Sequence, residues 1–314
     1  MFENLIEVLK NDPRKIVYTE GSDARILESA ARLKKDGFLT PILVGNVDEV
    51  KAAAAKGGFD IEGLEILDPA TYEGMDAMVD EMVALRKGKM SAEDCRAALS
   101  KGNYFGTMLV KMGVADCLLG GATYSTAVSS CFIMIRGDET LAMGDCAINI
   151  DYQDTVDKEG NVTFTAAQKL AEVAVATAET AKVFGIDPKV AMLSYSTKGS
   201  GKGPNVDLVR NATEEAKKLA PELKLDGEMQ FDAAVSPVVG QLKFPGSPVA
   251  GYANTFIFPE IQSGNIGYKI AARLGGFAAY GPILQGLNAP INDLSRGCNA
   301  EEVYQMSIIT AALK

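Results

Sequence analysis

The sequence predicts an α/β protein built as two α/β lobes with a cleft between them. Three observations carry that prediction. The 314 residues suit about two domains of ordinary size. Short β-branched runs alternate with longer stretches of helical period, which implies parallel strands joined by right-handed crossovers. One hairpin-like break interrupts the alternation near residue 137.

KIVYTEG (15 to 21), TPILVGN (40 to 46), LEILDP (64 to 69) and ADCLLGGA (115 to 122) read as buried strands that end in turn residues. Between them ARILESAARLKKDG, VDEVKAAAAKGG and MDAMVDEMVALRKGK place apolar residues three or four apart and stop at Asp-Gly or Gly-Gly. SSCFIMI and LAMGDCAINI flank RGDET, so an antiparallel pair is expected where the sheet changes. The alternation then resumes: a helix around 164 to 184, the strand KVAMLSYST, a helix at 205 to 220, DAAVSP and TFIFP in the following strand positions, a helix at 264 to 274, and AAYGPILQG. The predicted boundaries are 1–127 plus 289–314 for the first domain and 129–288 for the second. Open parallel sheets bind ligands beyond the carboxyl ends of their strands, so that is where a site is expected.

Composition removes several function classes. A formal charge of −10 lacks the basic face a general nucleic-acid binder needs, so any anionic substrate must be held by a few local cations. There is no histidine, which excludes histidine triads, Cys-His dyads and histidine metal sites, and leaves acid-base work to Asp, Glu, Lys, Tyr or Cys. Five scattered cysteines without a CxxC pair suggest neither zinc nor disulfides, and are expected as reduced, mostly buried thiols. The start MFENLIEVLKNDPRK is not patterned as a signal peptide and no run reaches the roughly 18 apolar residues of a membrane span, so the reading is cytoplasmic, without a membrane partner.

Local patterns offer candidate chemistry beside plainer roles. In GGATYSTA (120 to 127), a helix beginning at Ser125 or Thr126 would present free amides and hydroxyls to an anion, although Ser and Thr are also common simple caps. STKGSGKGP (196 to 204) fails as a phosphate loop because Gly203 stands where Ser or Thr must follow Gly-Lys; it reads as a mobile loop at the cleft rim. Arg86, in LRKGK, suits a helix C-terminus. Lys243 lies in QLKFPGSPVAGYAN, a Gly/Pro-rich stretch that reads as a binding loop. Asn299 and Glu302 fit a capping box, while Arg296, between Ser295 and Gly297 at a helix entrance, is well placed to fork onto a phosphate.

VYTEGSD (17 to 23), LLGGATYSTA, MLSYSTKGS, GNIGYK (264 to 269) and APINDLSRGC occur together across nearly the whole chain. Together they resemble the phosphate acetyltransferase (phosphotransacetylase) and phosphate butyryltransferase family. The resemblance implies an acyltransferase that interconverts acetyl-CoA plus phosphate with acetyl phosphate plus CoA. It further implies a cytoplasmic homodimer with an architecture like the isocitrate and isopropylmalate dehydrogenases, no metal, and no cofactor beyond CoA as substrate. Carried over, it makes Ser295 and Arg296 the pair that holds the phosphoryl and carbonyl oxygens. Glu302 falls where the family places an acidic base for the CoA thiol, usually aspartate. Arg86 matches an arginine for the anionic end of CoA, Lys243 a lysine near the same cleft, and Ser125 and Thr126 the phosphate-binding helix start.

One departure concerns length. Val128 alone follows STA here, where the family has a helix bearing an arginine and a Gly/Pro-containing turn before the strand matching SSCFIM. Either a segment is missing or part of the site has been lost; the intact flanking motifs favour the former. Phosphate butyryltransferase, a non-catalytic acyl-CoA-binding homologue and a metal-dependent dehydrogenase of the same fold are the alternatives. For the dehydrogenase no coherent metal-ligand set is found.

Overall fold

The computed structural model describes residues 2–120, 128–294 and 297–314. They form two compact units, Met1–Tyr124 with Leu287–Lys314, and Ser125–Gly286.

The first unit opens with α1 (Phe2–Asn11), β1 (Arg14–Tyr18), α2 (Ala24–Asp36), β2 (Leu39–Val44), α3 (Val47–Gly57) and β3 (Glu65–Leu67). The helices α4 (Met75–Arg86), α5 (Ala92–Leu99) and α6 (Gly102–Lys111) lead to β4 (Cys117–Leu119). Capping residues set the ends. Asp23 accepts from the Arg25 amide to start α2, and Gly37 ends it in the left-handed conformation; Asn46 and Gly58 do the same for α3. β3 has its residues half-buried or exposed because it is the last strand of its sheet, a correction to the buried strand expected for LEILDP.

The second unit contains β5 (Ser129–Arg136), β6 (Glu139–Gly144), the small pair β7 (Thr155–Val156) and β8 (Val162–Phe164), α7 (Ala166–Val183), β9 (Lys189–Leu193), α8 (Pro204–Leu219) and β10 (Lys224–Met229). It continues through α9 (Phe231–Val235), α10 (Pro237–Lys243), β11 (Thr255–Ile257), α11 (Ile261–Arg273) and β12 (Ala278–Gln285). Its main sheet runs β10-β9-β11-β6-β5-β12, with all pairings parallel except those of β5, which runs antiparallel to both β6 and β12. The β5/β6 pair therefore opens the second sheet. Separate apolar clusters cover its two faces, one around Phe256, Met229 and Val249, the other around Met192, Ala174 and Val209.

Two segments differ from the sequence expectation. The strand after α8 is KLDGEM, while DAAVSP is helical: the strand's charged residues hide it, whereas Ser236 caps α10 with Pro237 in its first turn. LAMGDCAINI stops being a strand at Gly144 because the buried Asp145 carboxylate draws in the amides of Ser130 (3.0 Å), Ala147 (3.2 Å), Ile148 (3.2 Å) and Asn149 (2.9 Å). An anion buried that deeply is tolerated because its oxygens are satisfied.

Leu287–Lys314 returns to the first unit through β13 (Ile291–Asn292) and α12 (Ala300–Ala312). β13 adds a fifth parallel strand, giving the order β13-β4-β1-β2-β3. α12 buries nine residues, and its buried hydroxyls are paired: Ser307 with the Tyr18 hydroxyl (2.6 Å) and the Val303 carbonyl (2.7 Å), Thr310 with the Asn292 amide (2.8 Å). Arg32 stacks over Tyr304 at 3.5 Å from the ring centroid, and the Tyr304 hydroxyl donates to Asp36 at 2.7 Å. Burial, then the bond to Asp36, pushes the Tyr304 phenol up to about 12.

Gly120 follows β4 with φ +152°, and a Cβ there would lie 1.9 Å from Thr19 Oγ1. Gly120→Ala should therefore cost more than ~2 kcal/mol in denaturant unfolding, through strain and overpacking. Gly37→Ala, with open space around it, should cost only about 1 kcal/mol from the left-handed backbone.

Candidate active site

β13, β4 and β1 are adjacent and parallel, with Asn292, Leu119 and Tyr18 in register. The segments that follow them, Thr19–Asp23, the stretch from Gly120 and the stretch from Asp293, thus leave one edge of the sheet side by side. Gly120 donates its amide to the Asn292 carbonyl at 2.9 Å, and Thr19 donates its hydroxyl to Glu20 at 2.7 Å. The described parts of three of the quoted motifs, far apart in the chain, meet at the carboxyl edge where open α/β sheets hold ligands.

One polar link near that edge is one the sequence reading missed. Asp23 takes Arg25 Nε at 3.0 Å and Nη2 at 2.8 Å, and Arg25 Nη1 reaches the Cys298 carbonyl at 3.0 Å and its sulfur at 3.6 Å. An Asp-x-Arg at a helix head was the available signal. The hydrogen bond from Arg25 holds the Asp23 carboxyl below its usual range. Burial pushes the Cys298 thiol up, with Glu302 and Asp23 adding to the rise and Arg25 opposing it.

Glu302 completes the capping box: its Oε2 accepts from the Asn299 amide and its own amide donates to Asn299 Oδ1, both at 2.9 Å. That leaves Oε1 outside the cap. Arg86 ends α4, and Lys87 follows in the left-handed conformation at φ 50°. The other end of α4 lies beside Arg96 and Ser100, near the turn into Gly102 and the end of β1. Arg86 therefore stands twelve helical residues, about 18 Å along the axis, from that end of α4. Ser125, Thr126, Ser295 and Arg296 lie outside the described residues.

In the second unit Lys243 is the last residue of α10, a correction to the loop expected there. Its ammonium is held by Gln230 Oε1 and Asp232 Oδ2, both at 2.9 Å, and the Gln230 amide donates to Thr197 Oγ1 at 2.9 Å. Lys243 and the MLSYSTKGS motif are thereby joined past the carboxyl ends of β9 and β10. The 196–204 loop, read from sequence as mobile, makes several hydrogen bonds to its surroundings. Buried Glu228 accepts from the Ser196 hydroxyl (2.8 Å) and the Gly199 amide (2.7 Å), Gly201 donates to Ser196 Oγ (2.8 Å), and the Tyr195 hydroxyl donates to the Lys202 carbonyl (2.8 Å). Nothing in the Gly/Ser composition announces Glu228, which lies on another strand. All five cysteines are free and buried. No helix among the described residues is long and apolar enough to cross a membrane.

Parallel α/β units whose Gly-, Ser- and Thr-rich turns follow strand carboxyl ends define the class as an α/β enzyme fold. The chain belongs to the phosphate acetyl/butaryl transferase family, whose model matches residues 1–311. It is 48% identical over 332 positions to a phosphate acetyltransferase of Bacillus subtilis (strain 168), covering 99% of this chain and 98% of that one. A solved phosphotransacetylase of Streptococcus pyogenes has 50% identity and a TM-score of 0.89, covering 99% and 98%. A branched-chain phosphotransacylase of Enterococcus faecalis V583, at 18% identity and TM-score 0.63 over 96% and 100%, shares the fold. The 332 aligned positions exceed the 314 residues of this chain, so the alignment carries gaps on this side.

Two outcomes follow for this edge. Asp23 titrates lower when folded than when unfolded, so its stabilisation is present above the unfolded value near ~4 and fades as pH falls through the depressed folded value. Asp23→Asn should flatten that part of the acid limb of stability against pH. Glu302→Ala should cost about 1 kcal/mol in thermal or denaturant unfolding by opening the capping box, and Glu302→Gln should cost little.

Proposed function

We propose that this chain is a phosphate acetyltransferase, carrying acetyl between CoA and phosphate by direct attack of the CoA sulfur on acetyl phosphate in a ternary complex. The observation that carries the reading is the match at about half identity over almost the entire length of two relatives bearing that name. The meeting of VYTEGSD, LLGG and PINDLSRGC at one strand edge supports it.

The chemistry is a matter of charge. Attack at the carbonyl carbon puts negative charge on the carbonyl oxygen, then on the departing phosphate, and cations must meet both. Ser295 and Arg296 are assigned that role. Ser125 and Thr126 are assigned to phosphate, and Arg86 and Lys243 to the anionic parts of CoA. Glu302 is assigned as the base, because a free thiol with pKa near ~8.5 is mostly protonated at neutral pH. The capping box engages one carboxylate oxygen, which leaves the other for a proton. Cys298 is a poor covalent alternative: burial raises its thiol and no histidine exists to activate it.

A cytoplasmic homodimer completes the proposal. Ile266 and Ile270 on α11 and Leu274 just past its end recur every fourth residue and are all exposed, an apolar surface of the kind subunit contacts cover. A dimeric mass at micromolar concentration is expected, and a monomeric mass would contradict it.

Arg296→Ala should lower turnover at least ~100-fold with little change in folding, the lower range for losing one donor to a developing oxyanion. Arg296→Lys should rescue poorly, since an ammonium lacks the bidentate fork. Near-normal turnover in the alanine variant would remove Arg296 from the chemistry. Thiol release measured with acetyl, propionyl and butyryl phosphates should favour acetyl; a preference for butyryl would move the assignment to phosphate butyryltransferase. Glu302→Gln should lower turnover by roughly 100-fold or more at pH 7, and less as pH approaches the thiol's own pKa. Wild-type turnover in that variant would leave Glu302 a helix cap.

A further inference from the structure

We propose that Arg25 is a positioning residue for acyl transfer: anchored on Asp23 at the head of α2, it fixes Cys298, the downstream anchor of the Ser295–Arg296–Gly297 segment. The proposal rests on the reading that this segment carries the transfer.

The segment is bounded by two fixed points. Upstream, Asn292 belongs to β13, whose ladder with β4 sets its place. Downstream, Asn299 caps α12. Cys298 lies between the segment and that cap, and its carbonyl takes Arg25 Nη1 at 3.0 Å. Asp23 grips the other side of the guanidinium with two bonds, Nε at 3.0 Å and Nη2 at 2.8 Å, leaving Nη1 to point at Cys298. Asp23 is itself fixed by accepting the Arg25 amide at 2.9 Å at the start of α2. A planar fork can serve a carboxylate on one edge and a carbonyl beyond it in one geometry, which a lysine cannot reproduce. The Arg25 side chain is 40% exposed, so the ion pair itself adds little stability. A displacement of about 1 Å at a charge-stabilising turn can nevertheless cost about 100-fold in rate.

The test uses the whole chain with Arg25→Gln, Arg25→Lys and, as a reference, Arg296→Ala. It measures kcat and KM for acetyl phosphate and CoA, the melting temperature, and the rate at which iodoacetamide alkylates Cys298, which is only 9% exposed. Arg25→Gln is expected to lower kcat by about tenfold or more, with KM values changed less than about threefold. Cys298 should alkylate several-fold faster while the other four cysteines do not. Arg25→Lys should melt like the parent, yet keep the kcat and alkylation defects; with the fold intact, a loss of kcat can then be read directly. Wild-type kcat and alkylation in both Arg25 variants, with Arg296→Ala inactive, would overturn the positioning role alone. A large rise in KM with kcat kept would also overturn it, making Arg25 a substrate ligand. Wild-type kcat in Arg296→Ala as well would overturn the reading of the segment and the proposal with it.

Discussion

The parallel pairing of β13 with β4 is the constraint on which the first unit's candidate site depends. Two residues of ladder, Ile291 and Asn292, bring the end of the chain against β4, a strand about 170 positions earlier. α12 then closes over β1 and β4, and its hydroxyls reach Tyr18 and Asn292, so the sheet and the returning helix share one polar seam inside an apolar core. Without that return the PINDLSRGC motif would have no fixed relation to VYTEGSD or LLGG. With it, three strand ends deliver three motifs to one edge.

The second unit solves a similar problem by a different device. Two buried carboxylates, Asp145 and Glu228, each stand at or just beyond a strand end and gather the neighbouring amides and hydroxyls. Each buried carboxyl has its oxygens matched by several donors. The 196–204 loop tied to Glu228 also carries Lys198, 5.0 Å from the Phe244 ring, and Lys243 is held by Gln230 and Asp232. In a chain of net charge −10, cations placed one at a time in this manner are how an anionic substrate would be met.

The parallel strands of the first sheet were legible because β-branched runs ending in Gly or Asp alternate with capped helices, and both signals are local. KLDGEM was not legible, since a strand carrying Lys, Asp and Glu reads as surface until its pairing with β9 is known. DAAVSP misled for the converse reason: a short apolar run does not distinguish strand from helix. At the site, Glu302 was legible as a cap from its spacing to Asn299, a relation inside one turn. The Arg25 to Cys298 link and the Glu228 support of the 196–204 loop were not, because each joins residues that only the tertiary fold makes neighbours.

The account turns on transfer of acetyl between CoA and phosphate without an acetylated enzyme. Isotope exchange between labelled inorganic phosphate and acetyl phosphate tests both halves at once. The purified chain should catalyse the exchange when CoA is present, through reversible formation of acetyl-CoA, and should not catalyse it when CoA is withheld. Exchange without CoA would demonstrate a covalent acetyl-enzyme, and no exchange with CoA would contradict the assigned activity itself.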